Sequence, residues 1–240
     1  EPAKEQYENE KIAFFDIEVF PNLLLVSWKF HGEGNVVRMH NPTPEEVGKF
    51  LKLKLVGFNC RRYDNHILYA RYLGYDNQKI YELSKKLISG SRNAMFAEAY
   101  DISYADIYDF ASVKQSLKKW QVDLGIFHKE VNFPWDEPLP EEYWGEVGDY
   151  CDNDVISEEV VFEHRRQDFV ARQVLAKLSG LSVNSTTQQH TARIIFGKNR
   201  KPQAEFVYTD LSQMFPGYTF SFGKSSYMGE DPGEGGYVYA

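Results

Sequence analysis

An apolar run near the N-terminus, Phe14-Phe15-Asp16-Ile17-Glu18-Val19, is interrupted by two carboxylates set one residue apart. Its β-branched and aromatic residues predict a strand over Lys11–Phe20, with side chains alternating between faces. Asp16 and Glu18 then point the same way, with Cα atoms roughly 7 Å apart. Phe15, Ile17 and Val19 take the other face, and apolar residues on both faces predict a central, doubly covered strand. Two acids in such a strand repel each other and raise each other's pKa unless a cation neutralises them.

The pattern continues with Pro21-Asn22 as a turn and Leu23–Phe30 as a second strand, forming a hairpin. Asn35–His40 reads as a weaker third strand. Thr43-Pro44-Glu45-Glu46 offers an N-cap, a proline at the first helical position and early acids, so a helix is expected to about Lys52. Leu55–Asn59 is a short apolar run of buried-strand type. Helices are expected over Asp64–Leu73 and Gln78–Ile88, a strand over Asp106–Phe110 and a helix over Ser112–Trp120. Val131–Pro140 reads as a long loop. Tyr143–Asp168 reads as one long helix or two closely joined ones, with helical spacing continuing to Gly180. Ser185-Thr186-Thr187-Gln188 has the form of a capping box for a last helix to about Phe196. Residues 1–10 read as a linking segment, and the chain after Gly197 as mostly turns. This order predicts an α/β fold, a mixed sheet with helices on its faces.

The 240 residues suit one sizeable domain with an appendage, and 42% apolar with 15% aromatic residues suffice for a core. No apolar stretch is long enough to span a bilayer, and no signal peptide is evident. Cys60 and Cys151, with no Cys-x-x-Cys, fit a reducing cytoplasm, although two cysteines can also pair. A net charge of −8 argues against a bulk duplex-DNA binder. It leaves room for a nucleic-acid enzyme whose carboxylates hold metal ions. The start at Glu-Pro-Ala and the stop at Gly-Gly-Tyr-Val-Tyr-Ala read as an excised fragment of something longer.

Two further segments carry candidate chemistry. Asn59-Cys60-Arg61-Arg62-Tyr63-Asp64 follows the buried strand and precedes a helix. Asp64 there reads either as an N-cap or as a residue brought to a common site at a strand's C-terminal end. In Gly148–Val155, Tyr150 and Asp154 are four residues apart and share a helix face beside the apolar stripe of Val147, Cys151 and Val155. Asp149 and Asp152 share a more solvated face.

A strand Asp-x-Glu, a post-strand Tyr-Asp and a helical Tyr-x-x-x-Asp, in that order, resemble the three motifs of the DEDD superfamily of 3′→5′ exonucleases, in its tyrosine-containing branch. They are met by Asp16-Ile17-Glu18, by Asn59, Tyr63 and Asp64, and by Tyr150 and Asp154. Leu139-Pro140-Glu141-Glu142-Tyr143, and Ile107-Tyr108-Asp109 before a lysine-bearing helix, look like bacteriophage DNA polymerases with an N-terminal proofreading domain. Ser182–His190 and Gly235–Ala240 look like the connection into such a polymerase's palm.

The resemblance implies a ribonuclease H-like exonuclease domain over residues 1–168, with residues 169–240 a helical connector and the truncated start of a polymerase region. It implies two divalent cations, Mg2+ with Mn2+ as substitute, for which oxygen-only ligands are suited. Asp16 would bridge them, Glu18 and Asp154 would complete the site of the attacking water, and Asp64 would hold the second ion. Tyr150 would orient the water. Asn59 and Tyr63 are candidates to hold the terminal nucleotides, read equally as a turn-capping amide and a packed ring. Lys129 would neutralise the scissile phosphate or stand solvated. Phe110 reads as a base-stacking or a core ring, the six histidines as structural or surface groups, and Lys198, Arg200 and Lys201 as a backbone-binding or solvated basic run.

The implied partners are a single-stranded DNA 3′ end, the deoxynucleotide monophosphate product and the polymerase domain of the full-length chain, with no membrane. The fragment is expected to be monomeric, in a host cytoplasm if phage-encoded. Two competing expectations are a non-catalytic module that binds DNA ends or braces a polymerase, and an RNA-trimming exonuclease of the same superfamily.

Overall fold

A computed structural model of the protein describes residues 11–199, 201, 204, 209–210 and 237–238. The linking segment expected at residues 1–10, Arg200 of the basic run, and most of the tail compared with a polymerase palm lie outside these residues. The chain divides between Ile194 and Ile195 into two compact units.

The first unit is built on a mixed sheet of β1 (Ile12–Phe20), β2 (Leu23–Phe30), β3 (Val37–His40), β4 (Lys54–Gly57) and β5 (Ala105–Asp106). Their spatial order is β3-β2-β1-β4-β5. The first three are antiparallel, with Asp16 opposite Ser27 and Glu18 opposite Leu25. β4 runs parallel to β1, and β5 to β4. Helices α1 (Pro44–Phe50), α2 (Asp64–Tyr72), α3 (Asn77–Ile88), α4 (Ile107–Phe110), α5 (Leu117–Leu124), α6 (Trp144–His164), α7 (Arg166–Ser179) and α8 (Thr187–Phe196) flank or follow it. In the second unit, β6 (Thr209–Asp210) pairs antiparallel with β7 (Tyr237–Val238). Among the described residues no helix is long and apolar enough to cross a membrane.

Alternation along β1 sorts the core. Ala13, Phe15, Ile17 and Val19 pack with Val47 and Phe50 of α1, Ile67 and Leu68 of α2 and Ile80 of α3. On the other face Phe14 joins Phe110, Phe162 and Phe169, and Phe20 joins Leu23, Leu25, Val147 and Cys151. Asp16 and Glu18 fall between these last two clusters, in the gap of an otherwise apolar row.

Local chemistry sets the boundaries. Thr43 and Glu46 complete a reciprocal capping box at α1. The long acid-rich region is two helices, α6 and α7, broken at Arg165. Gly180, at φ +69°, ends α7.

Three expectations need correction. Residues 107–110 are a helical turn rather than strand, because the Asp106 carboxylate accepts from the Asp109 amide and caps it. The helix expected over Ser112–Trp120 is α5, starting later, where Ser116 accepts from the Lys119 amide. The last capping box uses Thr186 and Gln189, one residue beyond the expected pair. Residues 169–194 lie in the same compact unit as the sheet. Phe169, fully buried against Phe110 and Phe162, ties α7 into that core.

Candidate active site

The last residue of β1 paired with β4 is Phe14, opposite Val56, whereas β1 runs on to Phe20. Asp16 and Glu18 therefore lie just past the C-terminal end of β4, where the chain turns away and returns as α2 carrying Asp64. The turn is tight. A Cβ on Gly57 would stand 2.8 Å from the Cys60 Cβ and 3.0 Å from the Phe15 ring. Asn59 follows in the left-handed region at φ 57°.

Two carboxylates hold this turn by its amides. Asp106 accepts from the backbone N–H groups of Asn59 at 2.9 Å and Arg61 at 3.0 Å. Glu158 of α6 accepts from the Phe58 amide at 2.9 Å. Buried amides need such partners, and here the acceptors come from separate elements. The turn that delivers Asp64 is thereby fixed to both β5 and α6.

α6 supplies the opposing wall. Tyr150, Asp154 and Glu158 follow at four-residue spacing along one face. Asp149 and Asp152, on the more solvated face, bind Arg38 of β3 at 2.6 and 2.7 Å, and Asp152 also accepts from Ser27 of β2 at 2.8 Å. These bonds hold α6 across the hairpin.

The four sequence-predicted acids act on one another. Burial, then the charge of Asp154, raises the Asp16 pKa to about 8. Burial, then Asp16, Asp154 and Asp64, raises Glu18 well above the usual carboxylate range. Burial, then Asp16, does the same for Asp64. Asp154 is raised by burial, offset by the hydrogen bond from Gln121, by the nearby Tyr150 hydroxyl and by the charges of His128 and Lys118. Burial, followed by the charges of Asp154, Glu18 and Asp16, raises the Tyr150 pKa, so its hydroxyl stays protonated near these acids.

The remaining candidates fall at the margins. Asn59 is exposed, with its backbone bound to Asp106. Tyr63 packs against the core beside α3, and its hydroxyl pairs with Ser84 at 2.6 Å. Lys129 reaches Asp149 at 3.4 Å, one residue from Tyr150. Phe110 is a core ring.

Sequence reasoning passed over two groups. Glu158 is almost fully buried and senses the charges of Asp16, Asp64 and Asp154. Its Oε2 has no hydrogen-bond partner among the described residues. The four-residue spacing from Asp154 was the available signal. The Cys151 Sγ lies 3.5 Å from Asp16 Oδ2, and ligand atoms of Asp16, Glu18 and Cys151 lie within 4.8 Å of one another. Burial, then the charges of Asp16 and Glu18, raises the Cys151 pKa, so its thiol donates a proton to Asp16 rather than offering a thiolate. Converging carboxylate oxygens suit a hard divalent cation. Cys151→Ser is accordingly expected to change Mn2+ affinity, read by calorimetry, by no more than about threefold, the scale of one weak hydrogen bond. A much larger loss would make the sulfur a ligand.

Comparison with known protein families, with curated proteins and with solved structures finds no match.

Proposed function

We propose that the chain is a metal-dependent 3′→5′ exonuclease acting on single-stranded DNA ends, with a ribonuclease H-like fold of the tyrosine-branch DEDD type. In this reading it is the proofreading part of a phage-type DNA polymerase. The observation that carries the proposal is the mutual electrostatic influence of Asp16, Glu18, Asp64 and Asp154, which the Tyr150 hydroxyl shares. Nothing in composition requires acids from β1, α2 and α6 to converge in a partly dehydrated gap, where their charges are mutually unfavourable.

Those four carboxylates would hold a pair of divalent cations, Mg2+ or Mn2+. When bound, such ions generate a nucleophile from water and neutralise charge developing on phosphate oxygens. Tyr150, kept protonated by its surroundings, orients a water by its hydroxyl and does not deprotonate it. Lys129, beside Asp149, supplies positive charge for the phosphate backbone at the rim. Asn59, exposed next to the turn, can reach a terminal nucleotide with its amide.

The test is a 5′-labelled single strand incubated with Mg2+ and sampled over time. Stepwise shortening from the 3′ end is expected, with mismatched duplex ends trimmed faster than paired ones because they cost less to unpair. An intact strand with both Mg2+ and Mn2+ rejects the proposal. An all-RNA strand of the same sequence, run in parallel, reads the preference set by the 2′-hydroxyl.

A further inference from the structure

Gln121 of α5 is a fully buried amide with both ends engaged. Its Nε2 donates to Asp154 Oδ1 at 2.8 Å and to Ser157 Oγ at 3.0 Å. The Ser157 hydroxyl spends its proton on the Asn153 carbonyl at 2.6 Å, which leaves a lone pair facing Gln121. The Gln121 Oε1 lies 2.7 Å from His128 Nδ1. His128 Nε2 lies 3.1 Å from Glu130, whose carboxylate also meets Lys118 at 3.4 Å.

The chemistry of the partners sets the sense of the amide. An ionised carboxylate only accepts, so the amide nitrogen faces Asp154 and its oxygen faces the imidazole. An imidazole with Nδ1 protonated holds that oxygen. Reversed, the amide would set its oxygen against a carboxylate. Asp154 is thus gripped from α5 by an amide that is itself locked from the loop after α5.

We infer that Gln121 and His128 are positioning residues of the acid site: Gln121 orients the Asp154 carboxylate, and His128 keeps the Gln121 amide in the orientation that does so. The inference rests on the exonuclease reading and adds two side chains to it. Groups that orient metal-binding carboxylates typically matter by about 10–100-fold in metal affinity or activity.

The experiment compares the wild-type chain with Gln121→Leu, Gln121→Met, His128→Leu and His128→Asn. Each is assayed for single-strand trimming, for Mn2+ affinity by calorimetry and for thermal melting. Gln121→Leu is expected to lower kcat and weaken Mn2+ binding by about 10–100-fold while leaving KM for DNA near its original value. His128→Leu shifts both in the same direction. His128→Asn, whose amide nitrogen takes the place of Nδ1, restores them, as a merely space-filling role would not require. Should the leucine variant at 121 melt early, Gln121→Met decides, since it keeps the chain length without the N–H.

A folded Gln121 variant that trims DNA and binds Mn2+ like the wild type overturns the inference and leaves the exonuclease reading standing. A failure of His128→Asn to exceed His128→Leu removes His128 from it. A wild-type chain that neither trims DNA nor binds Mn2+ ends both.

Discussion

Asp16→Asn is expected to abolish trimming, lowering the rate by about 10³-fold or more, and at the same time to raise the melting temperature of the metal-free protein. The first effect follows from position. Asp16 interacts electrostatically with Glu18 on its own strand, with Asp154 on α6 and with Asp64 on α2. In the proposed exonuclease, Asp16→Asn removes a charged ligand shared by the cations, and several kcal/mol of transition-state stabilisation corresponds to that factor in rate. The second effect follows from crowding. At neutral pH burial and the neighbouring acids force Asp16 to take up a proton on folding that the unfolded chain has lost; Asn has the same shape and needs none, so that cost disappears. A structural acid would lose both stability and activity on substitution; a functional one trades one for the other. Labelled-strand assays and melts in EDTA read the two quantities separately. Retained activity would sink the assigned site, and a lowered metal-free melting temperature would sink the crowding argument.

The second large effect is a pH dependence that divalent metal reverses. In the unfolded chain Asp16 ionises near the ordinary carboxylate value, whereas in the fold it keeps its proton up to about pH 8. Glu18, Asp64 and Glu158 are shifted in the same direction by burial and by the neighbouring acids. Between about pH 4 and 8 the folded state therefore binds more protons than the unfolded state, so stability falls as pH rises through that window. His66 and His190, whose burial lowers their pKa from 6.5, act in the opposite sense below about pH 6.5. The diagnostic quantity is thus the difference between melts with and without Mn2+. Ions that bind only the folded, ionised site are expected to add about 5 °C or more at pH 8 when saturating, and much less at pH 5. Equal shifts at both pH values would mean that the metal binds elsewhere.

Much of this arrangement was legible in the sequence because it is local. Alternation along β1 put Asp16 and Glu18 on one face, and four-residue spacing put Tyr150 and Asp154 on another. The short apolar run that forms β4 was bounded by polar residues, and the helix carrying Asp64 followed it. What escaped depends on partners distant in sequence. Ile107-Tyr108-Asp109-Phe110 has strand-forming residues, but the Asp106 side chain turns them into a helical cap. Glu158 looks like one more acid on an acidic helix until the Phe58 amide is brought against it. Gln121 and His128 carry no motif at all; their roles exist only once α5 lies beside α6.

The pairing of Asp16 with Ser27 and Glu18 with Leu25 has a consequence for how the chain assembles. Sliding β1 by one residue against β2 would carry both acids into the oily layer occupied by Phe15 and Ile17 and eject those side chains on the other side. Such a misalignment is costly from the first encounter of the two strands. The acids assigned here to hydrolysis also serve as an alignment key for the hairpin, and making them apolar would loosen the choice of partner residues before any substrate is met.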